Sequence, residues 1–153
     1  MSLPKLVRPL AINADCGRRS CRNLKAPGER WASGEIAQTL GELIDSDIDV
    51  YPDPASAWPG IEPSYHGHAG IRRYLASIYG AFDEYRAEPE RLIDAGDRVV
   101  VLAIERGRGK QSGAPVEIRH TAHIWTLRDG RAVRLDVNWD RERALEDIGL
   151  AAR

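Results

Sequence analysis

With 153 residues, 42% of them hydrophobic, the chain is long enough for one domain that buries close to ~70% of the surface its unfolded form exposes, without help from a disulfide or metal. Its 22 basic and 23 acidic residues nearly cancel, so no field draws a nucleic-acid backbone or an acidic membrane surface. The longest wholly apolar run, 99–104, is far short of the ~20 residues a membrane helix needs, and Lys5, Arg8 and Pro9 break the only stretch near the start that a signal peptide would use. A cytoplasmic protein without nucleic-acid or membrane partners is expected.

Residues 1–21 show no period and carry Pro4, Pro9, Gly17 and several arginines, which predicts an irregular arm ahead of a single domain over 22–153. Cys16 and Cys21 match no metal or thioredoxin spacing and read as two reduced thiols. A first helix over 23–33 is interrupted by Pro27 and Gly28; a second, over 35–44, sets Ile36, Leu40, Leu43 and Ile44 at helical spacing. A strand follows at 48–51. Residues 52–64 hold four prolines and Trp58 and predict a rigid loop of the length that often carries function. From His68 the apolar stripe Ile71, Tyr74, Leu75, Ile78 and Phe82 marks the best helix in the chain. Strands are expected at 88–93 and 98–105, a glycine-rich mobile connection at 106–114, and a last helix capped by Asp140 and ended by Gly149.

Residues 116–139 read as one long hairpin turning at Asp129-Gly130. In the first arm Arg119, Thr121, His123, Trp125 and Leu127 share one face, while Val116, Ile118, His120, Ala122 and Ile124 share the other. The second arm sets Val133, Leu135, Val137 and Trp139 against Arg134, Asp136 and Asn138. A three-residue loop joins His123 and Trp125 to the Leu135 and Val137 face; a two-residue loop sets His123 opposite Asp136 instead. Helices followed by strands on short turns predict an α+β fold, in which a curved, mostly antiparallel β-sheet wraps around the N-terminal helices to form a cone.

The stretches WASGE (31–35), LIDSDIDVY (43–51), YHGHAGIRRY (65–74), LIDAGDRV (92–99), IWTLRDGR (124–131) and DRERAL (140–145) with Gly149 and Leu150 resemble the nuclear-transport-factor-like superfamily. Within that cone fold, shared by ketosteroid isomerase and scytalone dehydratase, they are most similar to the SnoaL-like polyketide cyclases. The resemblance implies the three-residue loop, and so a pocket face with Thr121, His123, Trp125, Leu127, Val133, Leu135, Val137 and Trp139. It also implies an outer apolar row of Val116, Ile118, Ala122 and Ile124 that a second copy covers in a sheet-to-sheet homodimer.

The catalytic base of such sites falls here within 51–53, so the resemblance implies Asp53, with Tyr51 as the alternative. The tyrosine donor of ketosteroid isomerase falls near Pro27, where no tyrosine stands, and the aspartate that accompanies the histidine of SnoaL-like cyclases falls at Val137. His123 is then the acid-base group retained, able to exchange a proton near neutral pH, unless it is a half-buried residue with both nitrogens bonded. Arg119, ~13 Å further along the same row, meets an anionic substrate at the rim or is a solvated edge residue. Trp31, Trp58, Tyr74, Trp125 and Trp139 suit an apolar cavity for a small hydrophobic molecule. His66 and His68 read as helix-entry residues rather than a metal pair, and no metal or cofactor is expected. Two functions stay open: an isomerase, cyclase or dehydratase working through His123 and Asp53, or a non-catalytic ligand-binding or interaction module of the same fold.

Overall fold

The structure, a computed structural model, describes residues 43–150, the Arg119 side chain excepted. The expected arm with Cys16 and Cys21, the helix expected over 23–33 with Trp31, and all but the end of the helix expected over 35–44 lie outside the described residues. Among the described residues, no helix is long and apolar enough to cross a membrane.

Among the described residues six strands form one sheet in the order β2-β1-β6-β5-β4-β3. They are β1 (Ile44–Tyr51), β2 (Tyr65–His66), β3 (Phe82–Asp94), β4 (Arg98–Gly109), β5 (Pro115–Arg128) and β6 (Arg131–Asn138). All neighbours are antiparallel except β1 and β6. Helix α1 (Gly67–Ala81) crosses the inner face, and α2 (Arg141–Asp147) covers part of the outer one. This is the expected α+β architecture.

Period-two alternation in β4 builds both layers at once. Val99 and Val101 pack inward with Ile71, Tyr74 and Ile78 of α1, while Val100 and Leu102 pack outward with Ala144 and Leu145 of α2. Helix α1 lies close to the sheet because Gly70 allows it: a Cβ there stands 3.1 Å from the Tyr65 carbonyl carbon and 3.2 Å from its Cβ. Tyr65 in turn meets Tyr74 with ring centroids 5.4 Å apart. Helix α2 is closed at both ends by local chemistry. The Asp140 carboxylate accepts from the Arg143 N–H, and past the helix Gly149, at φ 80°, lets the Leu150 N–H reach the Leu145 carbonyl.

Several elements depart from the sequence expectation. Strand β1 starts at Ile44, not Ile48, because Ile44 pairs with Ala132 of β6 although the intervening Asp45, Ser46 and Asp47 break the apolar pattern. Strand β3 starts at Phe82, not Glu88, and tolerates Pro89 as an edge strand with a register shift beside it. The stretch expected to be a mobile connection instead carries β4 on to Gly109, and a short turn returns to β5 with the Gly109 N–H bonded to the Ala114 carbonyl.

The central hairpin reaches the expected facing by another route. Arg128 pairs with Arg131, and Asp129 and Gly130 have φ of 52° and 75°, so the loop has two residues, not three. A bulge then restores the register: Leu127 pairs with Ala132 but Thr126 with Arg134, and the skipped Val133 gives its place in the core to Ala132. His123 thus faces Val137, and Trp125 faces Leu135.

A second bulge corrects the assignment of faces. Ala103 pairs with Thr121 but Glu105 with Ile118, and His120 takes the positive φ of 65° that absorbs the extra residue. Beyond that point inside and outside exchange, so Val116 and Ile118 line the interior. Ala122 and Ile124 remain outside, where α2 packs against them. The apolar outer row from which a partner subunit was inferred is therefore broken up and covered by the chain itself.

Left-handed backbone is strained for a residue with a Cβ and free of strain for glycine. His120→Gly is expected to stabilise the protein by about 0.5–1 kcal/mol, and His120→Val to destabilise it by about 1–2 kcal/mol. Urea unfolding with an unchanged m-value measures both.

Candidate functional site

The inward row of β4 runs Val99, Val101, Ala103 and then Glu105, so a carboxylate stands where the pattern calls for another apolar residue. Glu105 is only 6% exposed. A buried charge costs several kcal/mol unless it is paired and hydrogen-bonded, and neighbouring strands supply both. From β5, His123 places Nε2 2.9 Å from Oε1 of Glu105. From β3, the Tyr85 hydroxyl donates to the same oxygen, also at 2.9 Å. The other oxygen, Oε2, has no hydrogen-bond partner among the described residues.

Two bulges aim these groups. Asp83 pairs with Arg108 but Arg86 with Arg106, and Glu84, at φ 54°, carries the extra residue that turns Tyr85 toward Glu105. The bulge at His120 brings Ile118 opposite Glu105 while His123 stays three pairs further along, opposite Val101. Bulges commonly re-aim side chains beside active sites, and here they join three strands on one atom.

The electrostatics follow from this arrangement. Burial alone raises the Glu105 pKa, but the hydrogen bond and charge of His123, with the Tyr85 hydroxyl, outweigh it and hold the acid below its ordinary value. Glu105 is therefore ionised at neutral pH. Burial first, and then the Glu105 charge, push the Tyr85 phenol well above its ordinary pKa, so it remains a donor.

Glu105 borders a cavity of about 90 Å³. Trp58, Phe82 and Trp139 form one side of it, Tyr74 and Ile78 of α1 another, and Val116, Ile118 and Val137 of the sheet a third. Its other wall residues are Tyr85, Arg106 and Gly107. Trp58 stacks on Trp139 at 6.4 Å and meets Phe82 edge-on at 5.6 Å. The rigid proline loop holds this aromatic wall in place. The Trp58 indole N–H donates to Ser77 Oγ at 3.2 Å, and Asp53 Oδ2 accepts the backbone N–H of Trp139 at 2.8 Å.

Of the residues singled out in the sequence, Trp58, Tyr74, Val137 and Trp139 meet at this cavity. Thr121, Trp125 and Leu135 do not; they are core residues, with the Thr121 hydroxyl donating to the Ala103 carbonyl. His123 reaches the site through Glu105 rather than forming its wall. Asp53 lies apart from it. Its Oδ1 accepts the Ala55 N–H at 2.8 Å, and it borders a separate crevice of about 300 Å³ within the loop. Tyr51 is 36% exposed beneath the Arg134 guanidinium, 4.3 Å from its ring centroid. Trp31 and the Arg119 side chain lie outside the described residues. His66 bonds Asp49 across β1 and β2, and His68 bonds the Ile44 carbonyl, so both anchor the entry to α1.

Sequence reasoning missed Glu105 and Tyr85. Glu105 left a signal, being the one acid in the inward row of an apolar strand. Tyr85 left none, because it falls between the end of the helical stripe and the expected start of the next strand.

Residues 29–135 match the model of the SnoaL-like domain. Among solved structures, an NTF2-like protein of unknown function from Burkholderia pseudomallei K96243 is 19% identical, with 97% of this chain and 99% of that one covered and a TM-score of 0.63. TerC, co-crystallised with polyporic acid, is 26% identical over 79% of this chain and 91% of its own, with a TM-score of 0.59. A protein with ketosteroid isomerase-like fold from Catenulispora acidiphila DSM 44928, in complex with trimethylamine, is 18% identical over 80% and 91%, with a TM-score of 0.56. No curated protein matches the chain. The match extends over more than half of the sequence and the NTF2-like architecture agrees with it: the chain belongs to the SnoaL-like domain family.

Proposed function

We propose that the cavity binds a small hydrophobic molecule and that Glu105 moves a proton on it, which makes the protein an isomerase, cyclase or dehydratase that works by acid-base chemistry. The observation that carries this reading is a single ionised carboxylate at an aromatic-walled cavity, with one oxygen fixed by His123 and Tyr85 and the other without a partner among the described residues. A fixed carboxylate with a spare lone pair in an apolar surround is equipped as a general base. His123 and Tyr85 act as positioning residues, and Asp53 contributes by holding Trp139. That TerC was co-crystallised with polyporic acid agrees with a small organic ligand for this chain.

The volume limits what enters. An apolar cavity of about 150 Å³ encloses a benzene ring. At about 90 Å³ this one takes the edge of a ring, with the rest of the ligand at the mouth against Trp58 and Trp139.

A thermal-shift screen of hydrophobic ketones, epoxides and aromatic polyketide fragments tests the reading. Wild-type protein is expected to be stabilised by one of these classes, and Glu105→Gln to bind the same class while any turnover falls about 10²- to 10⁴-fold. If no class binds the wild type, the ligand site is refuted; if a class binds but is turned over equally by the variant, the assigned base is wrong.

Stability against pH gives a second check. The folded pKa of Glu105 lies below its unfolded value, so the ionised carboxylate with its hydrogen bonds stabilises the protein above the ordinary glutamate value of 4.5, and this contribution is lost as pH falls through the folded pKa. Glu105→Gln is expected to cost about 1.5–3 kcal/mol at pH 7. In urea unfolding that gap should narrow on acidification from about pH 5 to pH 3.

A further inference from the structure

Charge at the cavity is one-sided. Of the residues that line it, Glu105 and Arg106 alone are acidic or basic, and Arg106 is engaged by other acids. Its buried Nε lies 3.4 Å from Glu88 and its Nη1 3.3 Å from Glu117. Arg86 shares Glu88 at 2.7 Å, so two guanidiniums and two carboxylates offset one another there. Glu105 has no such counterweight on the wall. His123 meets Oε1 from outside the cavity lining, so whatever its own charge the negative end of the pair faces the cavity. The field reaches the opposite side, where the Glu105 charge, after burial, helps to hold the Tyr74 phenol above its ordinary pKa.

We propose that the hydrophobic molecule taken by this cavity is an organic cation built on a fully substituted nitrogen, drawn by Glu105 Oε2 and by the surrounding aromatic rings. The inference rests on the reading of the cavity as a ligand site and adds the sign of the ligand's charge.

Three physical reasons favour such an ion. The rings of Trp58, Tyr74, Phe82, Tyr85 and Trp139 all border the cavity, and a ring attracts a cation over its face, more strongly once water is excluded. The carboxylate lost its water when the protein folded, and Oε2 has no partner among the described residues, so the ligand gains the attraction without dehydrating the anion a second time. A charge spread over several carbon atoms is more weakly hydrated than a compact ammonium, and so enters an apolar cavity at lower cost. A fully substituted nitrogen also has no N–H to occupy Oε2, which leaves that oxygen facing a C–H, as its assignment as base requires.

The test compares 1-methylpyridinium with toluene, which have the same size and shape and differ in charge, on wild-type protein and Glu105→Gln. Wild type is expected to bind the cation about tenfold more tightly than toluene in an NMR titration, with nuclear Overhauser contacts from the N-methyl group to indole protons of Trp58 or Trp139. Glu105→Gln should lose about tenfold in affinity for the cation and bind toluene as wild type does. Toluene bound as tightly as the cation by wild type overturns the preference for charge and leaves the cavity reading standing. A cation that binds both proteins equally, or that shows no contact with either indole, is held elsewhere and overturns it too. The wild-type comparison and its indole contacts decide the matter on their own if Glu105→Gln does not fold. Failure of both probes to bind wild type removes the ligand site itself, and this inference with it.

Discussion

The structure is arranged around the burial of one carboxylate. Glu105 sits at 6% exposure in a row that is otherwise apolar, and it is tolerable there only because β3 and β5 each deliver a donor to the same oxygen. Neither donor arrives by regular pairing. Tyr85 is turned inward by the bulge at Glu84 and the β4–β5 register is shifted by the one at His120, both at positive φ in residues other than glycine. The backbone strain at the edges of the sheet and the electrostatic cost at its centre belong to one device. Strain of this kind persists where the surrounding structure over-determines it, and it concentrates at functional sites.

The aromatic wall depends on a different constraint. Among the side-chain contacts that hold the proline loop are Trp58 on Ser77, Asp53 on the Trp139 backbone, and the Tyr65 hydroxyl accepting from the Glu62 N–H. Each fixes a point whose displacement would open the stack of Trp58 on Trp139. Asp53 is thus tied to the cavity through its bond to the Trp139 backbone, two residues along the loop from the exposed Tyr51. In the same way α2 is more than a terminal appendage. By covering Val100, Leu102, Ala122 and Ile124 it allows β4 and β5 to be apolar on both faces, and so to carry the cavity on the inner one.

Much of the fold was legible because its signals are local. The Asp129-Gly130 turn, the stripe Ile71, Tyr74 and Ile78, the Asp140 cap and the Gly149 stop each depend on residues within one or two turns of one another. Trp58, Tyr74, Val137 and Trp139 meet at one cavity, and period, loop rigidity and the family resemblance together had set them on inward surfaces. Glu105 as the centre of the site was not legible, because nothing in a strand pattern tells a buried acid with partners from an acid at a strand's solvated end. The difference is made by His123 and Tyr85, 18 and 20 residues away.

What the amino-acid sequence determined by itself was the kind of element at each position and the face most of its residues take, since both follow from short-range periodicity and turn chemistry. What only the tertiary structure decided was register. One extra residue at His120 sent Val116 and Ile118 inside, and one at Val133 made a two-residue turn give the facing expected of a longer loop. A strand's side-chain period is two, so a slip of one exchanges every subsequent contact, and that slip is settled by packing against strands and helices distant in sequence.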